Sequence, residues 1–221
     1  MNLNQMHSTG MASPRTLQRL IDRLVERGIT DDRVLRAMEA VPRHLFVDSS
    51  LKHLAYEDMS LPIGKRQTIS QPFVVARMSQ AVLEMPSVRS VLEIGTGSGY
   101  QAAILSHLVA SVYSVERIHS LSWQARKQMR QLGINNVKLK FGDGQEGWDE
   151  HAPFDVIMFT AATRQVPTAL MEQLTDHGRI IVPRVSRAGQ ELVLMQRSDK
   201  GWKEEVVQPV VFVPVLTGTE Y

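Results

Sequence analysis

Apolar positions in the first part of the chain recur with a helical period, and further along they condense into short runs separated by helical stretches. Leu17, Leu20, Ile21, Leu24 and Val25 fall on one helical stripe that stops at Gly28, a residue suited to the left-handed position that closes helices. A second helix is predicted from Asp31 or Asp32 to about Ala40, ending before Pro42. Residues 42–72 keep neither period and read as irregular. A helix from Pro72 to about Leu83 follows. Beyond it, 90–94, 112–116, 137–141 and 155–159 read as strands, with helices near 99–108, 120–132 and 165–174 between them. This alternation argues for a parallel sheet covered on both faces. The end of the chain departs from it: Arg179–Val182, Glu191–Arg197 and Val206–Val213 are strand-like with only turn residues between, as in an antiparallel edge. The predicted fold class is therefore α/β, a doubly wound, mostly parallel sheet with N-terminal helices and an antiparallel C-terminal edge. Residues 1–13 are polar and expected to form a flexible tail. Residues 14–221 form one expected domain, divided into a helical and loop part (14–89) and a core with the C-terminal strands (90–221).

Composition narrows the class. With 221 residues, 43% of them hydrophobic, the chain can bury a full core, and no stretch approaches the roughly 18 apolar residues of a membrane span. The polar N-terminus has no secretory h-region. Net charge is +2 and the basic residues alternate with acids, so neither a nucleic-acid stripe nor a membrane surface is expected as a partner. The densest basic group, Arg126, Lys127 and Arg130, sits on a helical pattern and reads as a solvated face. Cysteine is absent, which removes disulfides, thiolate metal sites and a catalytic thiol, and fits a cytoplasmic protein. The seven histidines are scattered without ligand spacing, so no metal is expected.

The first chemical signal is Val91-Leu92-Glu93-Ile94-Gly95-Thr96-Gly97-Ser98-Gly99-Tyr100, where an apolar strand enters closely spaced glycines and then a helix. Glycines let the backbone approach a ligand, and a helix start offers it unpaired N–H groups. The dinucleotide fingerprint requires Gly or Ala where this chain has Tyr100, which weakens an NAD reading. Glu93, two residues before Gly-x-Gly-x-Gly, instead makes the segment similar to motif I of S-adenosylmethionine-dependent methyltransferases, whose Rossmann-like sheet has the fold class predicted above. Glu116 closes the next strand about 20 residues beyond the glycines, where a carboxylate can accept ribose hydroxyls; its alternative is an ordinary strand-end acid. After the third strand comes Gly142-Asp143-Gly144, where Asp143 is either an adenine acceptor or an Asx-turn residue.

The methyl acceptor must be read elsewhere. Thr160-Ala161-Ala162-Thr163 follows the fourth strand, in place of the Asn/Asp-Pro-Pro-aromatic tetrad of base-modifying enzymes. Phe159 and Thr160 stand where catechol-type enzymes place metal-binding carboxylates. Cytosine C5 methylation needs the cysteine this chain lacks. Leu61-Pro62-Ile63-Gly64-Lys65-Arg66-Gln67-Thr68-Ile69-Ser70-Gln71-Pro72 is more specific. It resembles the L-P-I-G-x-G-Q-T-I-S-Q-P signature of the protein-L-isoaspartate (D-aspartate) O-methyltransferase family, bacterial branch. Val41-Pro42-Arg43, Phe46-Val47, Ser114 to Arg117, Ala152 to Asp155 and Phe212-Val213-Pro214 extend the likeness over nearly the whole chain beyond the tail. Arg66 departs from it, standing where the family usually has glycine.

The resemblance implies a repair enzyme that methylates the free α-carboxyl of L-isoaspartyl residues in damaged proteins and peptides, leading to succinimide formation. S-adenosyl-L-methionine would be the donor, S-adenosyl-L-homocysteine the product, and no metal would be needed. An α-carboxyl has a pKa of about 3.3–3.7, so the acceptor is already an anion and needs no general base. By the same resemblance Ser70 is the catalytic serine, a hydroxyl donor that orients the carboxylate; read locally, Ser70-Gln71-Pro72 is equally a helix cap. Thr68, Ile69 and Ser70, the loop from Glu93 through Gly95, Thr96, Gly97 and Ser98 to Gly99, then Glu116, Asp143, Gly144 and Thr217, would hold the cofactor. Gln71, Val213 and Pro214 would flank the peptide substrate. Two other functions stay open at the level of sequence: a methyltransferase of RNA or a small molecule, and a SAM-binding module without activity.

Overall fold

The computed structural model describes residues 14–199 and 201–221; the expected tail at 1–13 lies outside the described residues. Two helices come first, α1 (Pro14–Glu26) and α2 (Asp32–Ala40). In α1 the stripe Leu20, Ile21 and Leu24 is buried, whereas Val25 is 51% exposed and belongs to the solvent side. Asp31 starts α2 by accepting the Arg33 N–H at 2.9 Å.

The stretch 42–72 is more ordered than its pattern suggests. It contains a hairpin, β1 (Leu61–Gly64) and β2 (Gln67–Ile69), turning through Lys65 and Arg66. Gly64, Lys65 and Arg66 have φ of 88°, 51° and 58°, so the turn is left-handed at residues that seldom adopt that conformation.

Helix α3 (Pro72–Leu83) then leads into the alternating part: β3 (Ser90–Ile94), α4 (Tyr100–Ser106), β4 (Ser111–Glu116), α5 (His119–Leu132), β5 (Val137–Phe141), β6 (Phe154–Phe159), α6 (Thr168–Glu172) and β7 (Leu174–Ser186). Two more strands, β8 (Gly189–Ser198) and β9 (Gly201–Pro209), complete a seven-stranded sheet of order β5-β4-β3-β6-β7-β8-β9. Pairs among β3 to β7 are parallel, and β7–β8 and β8–β9 are antiparallel. Both faces of the sheet are buried, which is why its central strands read as continuous apolar runs. Val91, Val156 and Met158 pack into one core with α1 to α4, while Leu92, Ile94, Ile157 and Phe159 pack into another with Leu170 of α6.

The last strand differs from expectation. Ser198 pairs with Gly201, so β9 begins at Gly201 and ends at Pro209.

 The observed strand is thus 201–209 where 206–213 was expected, and it stops four residues short of Val213 because Pro209 has no N–H to continue the ladder. The Gln190 side chain catches the departing chain: its amide donates to the Phe212 carbonyl at 3.1 Å and accepts the Phe212 N–H at 2.7 Å. Val213 and Val215 then bond to both sides of Ala162, which lays the C-terminal segment across the ends of β3 and β6. From β3 the chain works outward through β4 to β5, then returns to β6 on the other flank of β3. In such sheets the crevice beyond the strand ends at this reversal is where ligands bind. Among the described residues no helix is long and apolar enough to cross a membrane.

Candidate active site

The glycine loop fills that crevice. Gly95, Gly97 and Gly99 have φ of 100°, 54° and 88°, a conformation that excludes most side chains, and the Gly95 N–H is anchored on the Val115 carbonyl at 2.9 Å. Space is short as well: a Cβ on Gly95 would lie 2.6 Å from the Thr160 hydroxyl, and one on Gly99 would lie 2.7 Å from Met129 Cε of α5. Gly99 therefore serves helix packing.

Glu116 holds the loop from the neighbouring strand. One carboxylate oxygen accepts the Gly97 N–H at 2.8 Å and the other the Ile118 N–H at 2.9 Å. Burial raises its pKa, and these two N–H groups oppose the rise. Beneath the loop, Glu93 is fully buried. The Ser114 hydroxyl donates to its carboxylate, and the Thr96 hydroxyl lies 2.5 Å from Ser114. Burial pushes the Glu93 pKa up to about 8, Ser114 opposes the shift and the Glu116 charge adds to it. Its second oxygen, Oε1, is buried without a partner.

Asp143 makes an Asx-turn: Oδ1 accepts the Gln145 N–H at 2.9 Å. Its Oδ2 accepts the Gly218 N–H at 2.6 Å and so pins the C-terminal segment. Thr217 is exposed and accepts from the Gln145 amide at 3.2 Å.

Three cavities share walls around this loop. The first, with about 580 Å³ of empty space including its open mouth, brings together Thr68, Gly95, Gly97, Glu116, Gly144 and Pro214. An inner one is lined by Thr68, Ile69, Ser70, Glu93 and the loop from Gly95 to Ser98. The third is an open groove with Thr68, Ser70 and Gln71 on its wall. Thr68 lines all three, and Ser70 stands between the inner cavity and the groove. Gly99, Asp143, Val213 and Thr217 line none of them.

Sequence reasoning left two roles open for Ser70, and the geometry separates them. Gln71 occupies the cap position of α3 without a side-chain cap bond, and the Phe73 N–H is taken by Asp58 Oδ1 at 2.9 Å. Among the described residues the Ser70 hydroxyl has no hydrogen-bond partner. Asp58 gave no local signal, because it caps a helix fifteen residues further on. Ile118, Ala161 and Leu216 on the first cavity, and Gln101 and Thr160 on the inner one, were also missed. They reach the site only through the folding of the sheet and the returning C-terminal segment.

Sheet order, glycine loop and strand-end acids together define the class: the fold of the SAM-dependent methyltransferases. The model of the protein-L-isoaspartate (D-aspartate) O-methyltransferases matches residues 15–220. A protein-L-isoaspartate O-methyltransferase of Halorhodospira halophila is 52% identical over 209 residues, 95% of each chain. A solved protein-L-isoaspartate O-methyltransferase superposes with a TM-score of 0.83 at 30% identity, covering 92% of this chain and 67% of that one. A beta-aspartate methyltransferase from Plasmodium falciparum, in complex with S-adenosyl-L-homocysteine, shares the fold at TM-score 0.79 and 23% identity, over 90% of this chain and 97% of its own. The chain belongs to the protein-L-isoaspartate (D-aspartate) O-methyltransferase family.

Proposed function

We propose that residues 14–221 act as one catalytic domain that transfers a methyl group from S-adenosyl-L-methionine to the free α-carboxyl of L-isoaspartyl residues in damaged proteins and peptides, in the cytoplasm, leaving S-adenosyl-L-homocysteine. The observation that carries the reading is the unpartnered Ser70 hydroxyl, set on the wall between a glycine-lined inner cavity and an open groove.

The residues fit the donor. Glu93 Oε1, buried and unpartnered on the inner cavity, suits a cationic amino-acid group, and Glu116 lies on the first cavity with lone pairs left for ribose hydroxyls. Gly144 leaves room for a flat ring, with Asp143 behind it as the acceptor for an amino group. Thr68 and Ile69 close the donor side, Thr217 and Gly218 are tied to it through Gln145 and Asp143, and Gln71, Val213 and Pro214 flank the peptide. Bound S-adenosylmethionine supplies a methyl group already activated on a sulfonium. The chain then has three tasks: to bind the acceptor carboxylate in line, to orient it through the Ser70 hydroxyl, and to exclude water. No proton has to be removed, since the acceptor is ionised at neutral pH.

The test uses matched isoaspartyl and aspartyl peptides with methyl-labelled S-adenosylmethionine. Label enters the isoaspartyl peptide and leaves as methanol under mildly alkaline conditions while a succinimide forms, because the ester lies beside a backbone nitrogen that closes the ring. Stable label, or equal labelling of both peptides, overturns the reading.

A further inference from the structure

Outside the residues assigned above, the acceptor groove carries two charged side chains, Arg27 from the end of α1 and Asp58 from the loop before the hairpin. A helix start leaves N–H groups to be satisfied, and a nearby serine hydroxyl is an ordinary partner for one of them. Here Asp58 supplies that bond from outside the helix. Its Oδ1 accepts the Phe73 N–H at 2.9 Å, its Oδ2 accepts from the Gln71 amide at 3.0 Å, and its backbone carbonyl accepts from the same amide at 2.9 Å. The chain is thereby fixed at Gln71 and Phe73, just after Ser70, while the serine hydroxyl makes no bond.

A carboxylate on this wall carries a cost, because the proposed acceptor is itself an anion. Asp58 is only 11% exposed, so water screens it poorly. Arg27 pairs with its Oδ2, and the guanidinium carbon sits 3.6 Å from the centre of the Phe73 ring, which fixes the cation in place. The two charges cancel at the groove.

We propose that Asp58 and Arg27 are positioning residues for methyl transfer: Asp58 takes over the cap of α3 and so keeps the Ser70 hydroxyl free for the acceptor, and Arg27 neutralises Asp58 so that the groove admits a carboxylate. The proposal rests on the isoaspartyl reading above and adds residues that act through Ser70 and through charge.

Initial rates with an isoaspartyl peptide, S-adenosylmethionine affinity by titration calorimetry, and amide exchange at Phe73 test it on the full chain. Asp58→Ala lowers kcat roughly 10- to 100-fold, as expected for a misplaced reacting group, with donor affinity within about twofold and faster exchange at Phe73. Arg27→Ala raises the peptide KM about fivefold, an increase that shrinks as salt is added. Adding Asp58→Asn to Arg27→Ala brings KM back down, since the uncompensated charge is gone; a role in packing alone would make the double variant worse. Unchanged kcat and Phe73 exchange in Asp58→Ala overturn the cap, and a double variant with KM at or above that of Arg27→Ala overturns the charge balance. A wild-type enzyme that ignores the isoaspartyl peptide would defeat the functional reading, and Phe73 exchange in Asp58→Ala would still decide the cap.

Discussion

Replacing Arg66 with glycine is expected to stabilise the protein. The residue has φ of 58° in the hairpin turn, and its exposed side chain makes no hydrogen bond or ion pair among the described residues. A left-handed conformation costs an ordinary L-residue about 1–2 kcal/mol. Glycine removes that strain but brings greater freedom to the unfolded chain, which offsets about 0.5–1 kcal/mol. The balance favours Arg66→Gly by about 0.5–1 kcal/mol, or roughly 1–4 °C in Tm for a chain of this size. Scanning calorimetry or urea unfolding reads the change. Arg66→Ala is the control, because it deletes the same side chain and keeps the strain. Equal stabilisation by alanine would show that the gain has nothing to do with backbone conformation, and a lower Tm in the glycine variant would refute the strain itself.

Ser70→Ala should lower kcat while donor affinity stays within a few-fold and Tm is unchanged, because Asp58 caps α3; steady-state kinetics with calorimetry would expose a cap role as a fall in Tm. Glu116→Ala should weaken S-adenosylmethionine binding by about 1–3 kcal/mol in isothermal titration, and unchanged affinity would place the donor elsewhere. Glu93 bears on pH. Its folded pKa of about 8 lies above the unfolded value near 4.5, so its contribution to stability is full below about pH 4.5 and is lost as pH rises through about 8. Glu93→Gln should flatten that decline in Tm measured from pH 5 to 9, and an unchanged slope would mean that Glu93 does not hold its proton when folded.

Elements whose signals are local could be read from the sequence. Pro72 at the start of α3 and the strand patterns of β3 and β5 gave boundaries that the structure repeats: β3 is a buried central run, and β5 is an edge strand whose Val137, Leu139 and Phe141 alternate with Lys138 and Lys140. The hairpin β1–β2 was hidden, since its strands are four and three residues long and Lys65-Arg66 is not a turn pair that announces left-handed geometry. The apolar run Val206–Val213 suggested a strand, yet pairing with β8 fixes the register from Gly201 and Pro209 ends it. At the site, the glycines and Glu116 were legible because their spacing along one βα turn and the next strand is local. Asp58, Ile118 and Leu216 were not, because chain segments far apart in sequence bring them to the walls.

The bond between Asp58 and Phe73 closes a loop of chain, and everything within it belongs to the hairpin or to the corner carrying Ser70. Closing such a loop costs configurational entropy once, for the whole segment. It can also reopen as one unit, because local openings of a native protein need far less free energy than global unfolding. The wall that three cavities share through Thr68 would go with it, along with Leu61 and Ile69, which the segment lends to one core, while the seven-stranded sheet stayed paired. Loss of activity on heating is then governed by this small cooperative segment, and inactivation precedes the melting that circular dichroism detects.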